Sequence, residues 1–308
     1  MREKMREKKI LWIITFNLII IFSEILFGII SNSFALIADA LHNAGDVIAI
    51  VITYIALKLG AKQTTFKYTF GFLRSEMMAA FVNTLFLSIT MIYMIYQAVY
   101  RFFNPEIIEP LYMIIVGTIA VIANGISAYL LNTMNISTHT HHKHHHEHRD
   151  ANIKSAYLHM LSDALISVGV VTAGIFIYFF RIYYIDSILT ILFSLYILRH
   201  SYPLLKKSFL SLMDTNITDI SPEELDKVIK IDDNIIEYHD LHIYKPSSRY
   251  NFISFHIVLK NNNLILKEIE EITGKIKHNL KKYDFNHILI QVDTDTHIKN
   301  KINCELKE

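Results

Sequence analysis

Six apolar runs, near residues 10–30, 34–57, 77–100, 111–132, 154–180 and 183–203, restrict this chain to a membrane. A bilayer core of roughly 30 Å takes about 20 apolar residues as a helix. Inside lipid every backbone N–H and C=O has to find its partner within the segment, and a helix provides this. The sixth run is the weakest, because Asp186 lies near its start. The first run is too long for the apolar part of a signal peptide and no small-residue cleavage site follows it, so it is expected to remain as a span. The averages are less telling. The chain is 52% hydrophobic and 19% charged, with a mean hydropathy of +0.30. These values blend an apolar part, residues 1–205, with a part of soluble character, residues 206–308.

Orientation follows from the basic residues. Arg2, Lys4, Arg6, Lys8 and Lys9 precede the first span, and Lys58, Lys62, Lys67 and Arg74 join the second to the third. Lys143, Arg149 and Lys154 join the fourth to the fifth, and Arg199, Lys206 and Lys207 close the sixth. Only Arg101 and Arg181 lie on the other side. Both termini are therefore expected in the cytoplasm. The net charge of +1 supplies no basic field for nucleic acid. The single cysteine, Cys304, excludes a disulfide scaffold and a thiolate-rich zinc finger.

Residues 206–308 read as αββαβ. Ser221, Pro222 and Glu224 form a helix start, with a capping hydroxyl, proline at the first helical position and glutamate at the third. Strands are expected over 235–244 and 250–260, joined by a Pro246-Ser247-Ser248 turn. A helix over 264–282 and a strand over 286–294 complete the domain. About 100 residues suffice for one small core.

Ionisable side chains inside spans are costly and point to function. The second run holds His42 and Asp46, and the fifth holds His159 and Asp163. Each pair is His-x-x-x-Asp, so its members share one helix face. If the two faces meet, two imidazoles and two carboxylates converge. That donor set suits a tetrahedral zinc ion, and two aspartates balance its charge. A pair of structural His–Asp hydrogen bonds is the plainer alternative, and the duplication argues against it. Asp39 shares the face of His42. It is read as an acceptor that orients the imidazole, a third carboxylate ligand being the alternative. Glu24, Asn17, Asn83 and Asn124 also lie within spans, as a polar path or as interhelical hydrogen bonds. Imidazole has to shed its proton to bind metal, so protons and metal compete for such a site.

These residues resemble a known family. Ser33-Phe34-Ala35-Leu36-Ile37-Ala38-Asp39-Ala40-Leu41-His42, with Asp46, is similar to the second span of cation diffusion facilitator transporters. Tyr157-Leu158-His159-Met160-Leu161-Ser162-Asp163 is similar to their fifth, Arg74-Ser75-Glu76 with Asn83 to the start of their third, and His239-Asp240-Leu241-His242-Ile243 to the first strand of their cytoplasmic domain. The resemblance covers essentially the whole chain. It implies a polytopic α-helical membrane protein with six transmembrane helices and a cytoplasmic, ferredoxin-like, metallochaperone-like αββαβ domain. It further implies a homodimeric metal/proton antiporter of the zinc-preferring branch in the plasma or inner membrane of a bacterium. Zinc would be substrate and regulatory ligand, with no organic cofactor. Arg74 and Asp214 occupy the places of a charge pair at the family's dimer hinge. His239, His256 and Asp293 match a cytoplasmic zinc site, with His242 a weaker member. Gln291 stands where some members carry histidine. The loop over 61–74 holds no His, Asp or Glu, so no metal is expected there.

Seven of the sixteen histidines crowd one stretch: His139, His141, His142, His144, His145, His146 and His148. This segment, within the fourth-to-fifth connection at 137–150, is too polar to bury a core. It is read as a cytoplasmic metal reservoir or sensor, a passive linker being the alternative. His200, His278, His287 and His297 are read as surface or structural. A broader-range transporter of cadmium, cobalt, iron or manganese is the runner-up. A membrane metalloenzyme is disfavoured, because its clustered histidine boxes and the His-Glu-x-x-His of zinc hydrolases are lacking. Six spans are excessive for the anchor of a metal sensor.

Overall fold

The structure is a computed structural model that describes residues 2–60, 62–136, 147–294 and 302. Six long helices come first: α1 Arg2–Ser31, α2 Phe34–Gly60, α3 Ser75–Phe103, α4 Pro110–Ile136, α5 Glu147–Phe180 and α6 Tyr184–Leu212. Helices α2, α3 and α6, with α4 over Pro110–Leu130 and α5 over Tyr157–Phe180, are long and apolar enough to cross a membrane. The described apolar part of α1 is Asn17–Ser31, and with the apolar sequence 10–16 before it α1 matches the expected first span. Several helices outrun their expected ends. The apolar run sets only the lipid-embedded part, and a helix continues as long as its backbone bonds are made. Thus α6 passes Pro203 and ends at Leu212.

The chain divides into two compact units, residues 1–50 with 83–202 and residues 51–82 with 203–308. In the first unit, large apolar side chains such as Phe22, Phe86, Tyr96, Ile122, Leu165 and Leu192 point outward, as a lipid-facing surface requires. Helices α4 and α5 pack closely. A Cβ on Gly117 would come within 2.8 Å of Val171 Cγ2, and one on Gly174 within 2.9 Å of Ile114 Cγ1. Small residues allow such an approach where lipid removes the usual hydrophobic drive between helices. Val116, Val170, Ala173, Ile177, Met113 and Leu36 are buried together beside this seam.

Asp186, the acid that weakened the sixth run, has a structural partner. Its carboxylate accepts from Ser33 Oγ at 2.5 Å, from Phe34 N at 3.0 Å and from Ala35 N at 3.3 Å. Helix α2 begins at Phe34, so an acid from α6 satisfies its first free N–H groups and complements its dipole. Nearby, the Arg101 guanidinium lies 3.7 Å from the Phe34 ring centre. It also donates to Asn32 O, Asn32 Oδ1 and Glu106.

The second unit contains α7 Pro222–Ile229, β1 Ile235–Tyr244, β2 Asn251–Leu259, α8 Leu266–Leu280, a 3-10 turn Lys281–Tyr283 and β3 Phe285–Asp293. The expected αββαβ order is observed. The sheet runs β1-β2-β3, with β1 antiparallel to β2 and β2 parallel to β3. The Ser221–Glu224 capping box is present in both directions. Ile229, Ile257, Ile276, Leu280, Phe255 and Phe285 form the core between sheet and helices.

Candidate metal site

Helices α2 and α5 bring the four in-span residues together. His42 Nε2 lies 3.7 Å from Asp46 Oδ2 and 3.8 Å from Asp163 Oδ1. His159 Nε2 lies 3.0 Å from Asp46 Oδ2 and 3.7 Å from Asp163 Oδ2. The two imidazole rings stand nearly edge to face with centres 6.0 Å apart. A tetrahedral ion with bonds of about 2.0–2.1 Å separates its ligand atoms by about 3.3 Å. Donor atoms of His42, Asp46 and His159 all lie within 4.8 Å of one another, so the cluster can close on such an ion with small side-chain movements. The site is asymmetric. His42 and Asp163 are buried, whereas the Asp46 and His159 side chains are each 34% exposed, which leaves an entrance on one side.

The surroundings differ from expectation at Asp39. It does not orient the His42 imidazole, whose Nδ1 is buried without a hydrogen-bond partner. The Ser167 hydroxyl lies 3.4 Å from Asp39 Oδ2 and also 3.0 Å from the Asp163 carbonyl oxygen. Asn43 Nδ2 donates to Glu24 Oε2 at 3.1 Å, an interhelical bond between α1 and α2. Asn17 Nδ2 lies 4.0 Å from Met160 Sδ. Asn83 is half-buried. Asn124 is buried, with both amide atoms unpartnered.

A second cluster sits on the sheet. His239 and His256 are directly opposed on β1 and β2. Asp293 Oδ2 lies 3.4 Å from His239 Nε2 and 2.9 Å from His256 Nδ1. Burial raises the Asp293 pKa, and hydrogen bonds from Gln291 and His256 outweigh it, so the carboxyl sits below its ordinary range. Sequence reasoning missed Asp240, whose Oδ2 reaches within 4.0 Å of His239 Nε2 and 3.9 Å of His256 Nδ1. In a regular strand, neighbouring side chains point to opposite faces. Here the pairing register shifts between His239 and His242, and Asp240 takes a left-handed backbone with φ 49°. That irregularity turns Asp240 toward its neighbour. The Asp-Leu that separates two histidines was the only available signal. His242 stays apart: it is exposed, opposite Ser254.

Arg74 Nη2 meets Asp214 Oδ1 at 2.6 Å, with both side chains about half exposed. His287 lies against Phe252 with the rings tilted, and His200 stacks on Tyr196. His278 lies in the last turn of α8. His139, His141, His142, His144, His145, His146 and His297 lie outside the described residues. So does the His148 side chain, although its backbone belongs to α5.

Two family descriptions match this chain. The cation efflux transmembrane domain matches residues 10–213, and the cation efflux protein cytoplasmic domain matches residues 217–295. A Bacillus subtilis protein named cadmium, cobalt and zinc/H(+)-K(+) antiporter is 32% identical over 285 residues, covering 92% of this chain and 88% of the relative. The metal cation efflux system protein CzcD of Cupriavidus metallidurans is 31% identical over 271 residues, with 88% and 81% covered. The zinc transporter ZitB of Pectobacterium atrosepticum is 28% identical over 275 residues, with 88% and 80% covered. These are transporters and not enzymes. The chain therefore belongs to the cation efflux, or cation diffusion facilitator, family of multi-pass membrane transporters.

Proposed function

We propose that this protein exports zinc from the cytoplasm in exchange for protons, holding the ion between His42, Asp46, His159 and Asp163. The convergence of these four side chains from two spans, at separations close to those of a tetrahedral site, carries the reading. Two imidazole nitrogens and two carboxylate oxygens suit zinc, and the relatives are named for zinc, cadmium and cobalt. Protons drive the cycle because each imidazole binds either a proton or the metal. On the acidic outer side the histidines take protons and release the ion. On the cytoplasmic side they lose protons and capture it.

The remaining assignments follow from this frame. Residues 1–205 form the membrane domain, with both termini and the histidine-rich connection in the cytoplasm. That connection raises the local metal concentration at the entrance. Residues 206–308 form the cytoplasmic, dimer-forming and metal-sensing domain. Zinc held by His239, His256 and Asp293, with Asp240 added, favours one of two transport states, which requires unequal affinity for them. The Arg74–Asp214 pair serves as the charge contact of the dimer hinge. The relatives' names also support a range that includes cadmium and cobalt.

Zinc uptake into inverted membrane vesicles with an acidic lumen tests the proposal. Wild-type protein concentrates zinc, and His42→Ala and His159→Ala each abolish uptake. Unimpaired proton-driven uptake in both variants would sink the assignment. Deleting residues 139–148 should raise the zinc concentration for half-maximal uptake more than it lowers the maximal rate.

A further inference from the structure

Two buried acids take no part in the quartet. Glu24 is the only ionisable side chain of α1 from Ile10 to Ser31, and it is fully buried. Asn43 donates to its Oε2, but Oε1 is buried without a donor. Asp39 on α2 is in the same condition. Its Oδ2 lies near the Ser167 hydroxyl, and its Oδ1 is buried without a donor. Asn43, the donor to Glu24, stands one turn after Asp39 on α2, so both carboxyl groups lie on the same side of that helix, where α1 meets it. Two carboxylates so close together inside a span repel each other and are poorly solvated, so they do not both ionise while no cation is near. One shared proton resolves this, because the protonated acid donates and its partner accepts. A single O–H then serves both orphaned oxygens.

We propose that Glu24 and Asp39 form a proton-binding dyad, separate from the metal quartet, which carries one exchangeable proton of the transport cycle. The inference rests on the quartet being the transport site. As the dication enters, it favours the fully ionised dyad. The O–H bond of the shared acid breaks and the proton passes to water. When the metal departs, one proton returns and the acid–carboxylate pair forms again. The path of coupling is short. Asp39 sits one helical turn before His42 on α2, Asn43 ties that helix to Glu24, and Ser167 lies between Asp39 and the main chain of Asp163. The ionisable neighbours are His42 along α2 and Asp163 on α5. Helix α4 has none except Tyr112 and Tyr129, and α3 and α6 have only tyrosines over 77–100 and 187–198.

The test counts protons. Full-length protein in detergent, weakly buffered with an indicator dye, is titrated with zinc chloride. Wild type releases protons from the quartet and one from the dyad. Glu24→Gln and Asp39→Asn should each release about one proton fewer per zinc. Each should flatten the pH dependence of apparent zinc affinity by about tenfold per pH unit. The double variant should lose no more than either single one, since the proton is shared. Retained zinc binding within a few-fold shows that a variant is folded, and the two substitutions lie on different helices. Wild-type proton counts and slopes in the folded variants would overturn the dyad while leaving the transport reading intact. Wild-type protein that binds no zinc would overturn both.

Discussion

The quartet in the spans and the cluster on the sheet contain the same kinds of side chain, built in different ways. The quartet needs two helices, each contributing a histidine and an aspartate four residues apart. The sheet cluster needs three strands, with one residue each from His239, His256 and Asp293, and a backbone irregularity for Asp240. A helix fixes the geometry of its pair locally, so only one packing contact remains to be satisfied. A sheet fixes nothing until register is set across segments far apart in sequence. The first design leaves room for movement between its halves, which suits the proposed transport site. The second holds its groups on one hydrogen-bonded surface, which suits the proposed sensing site.

The largest effect that can break this contrast is removal of a carboxylate. Asp46→Ala or Asp163→Ala should lower vesicle zinc uptake by more than about 100-fold, above the loss typical of residues that merely support ligands. Asp293→Ala should leave uptake measurable but remove zinc-dependent protection of β1 and β2 from hydrogen exchange. Equal losses in both assays for both classes would erase the distinction. A smaller effect is expected from His42→Asp. A hard oxygen replaces a borderline nitrogen, so the preference for zinc over manganese should fall by about tenfold in competition uptake.

The smallest effects concern the scaffold of the sheet cluster. Ser221→Ala removes the hydroxyl half of the capping box and should cost about 1 kcal/mol in the unfolding of the cytoplasmic unit. Uptake should be unchanged. The Asp232 pKa is lowered, chiefly by the Asn234 N–H and, against the opposing effect of burial, also by Lys275. A depressed native value contributes stability above the ordinary aspartate pKa near 3.9 that is lost as pH falls through the native one. The acid limb of the unit's stability, followed by hydrogen exchange below about pH 4, should therefore be shallower in Asp232→Asn.

Legibility in the sequence followed the same division. The six spans, the αββαβ order, the Ser221 cap and the two His-x-x-x-Asp pairs depend on local periodicity and could be read directly. Asp240 could not, because its place depends on a register shift, and the Asp-Leu between two histidines does not by itself announce one. Asp39 was placed on the right face but given the wrong neighbour. Helix period locates a side chain around its own axis and does not tell which helix meets it. Asp186 read as a flaw in the sixth span because its partners, the first N–H groups of α2, lie about 150 residues away in the chain.

The glycine seam between α4 and α5 has a mechanical consequence. Backbones that approach so closely leave little room to slide or roll, so the pair would behave as one plate. His159 and Asp163 ride on that plate, whereas His42 and Asp46 ride on α2. Under the proposed transport reading, an ion held there would lie between this plate and α2, and opening the site would fall to α2.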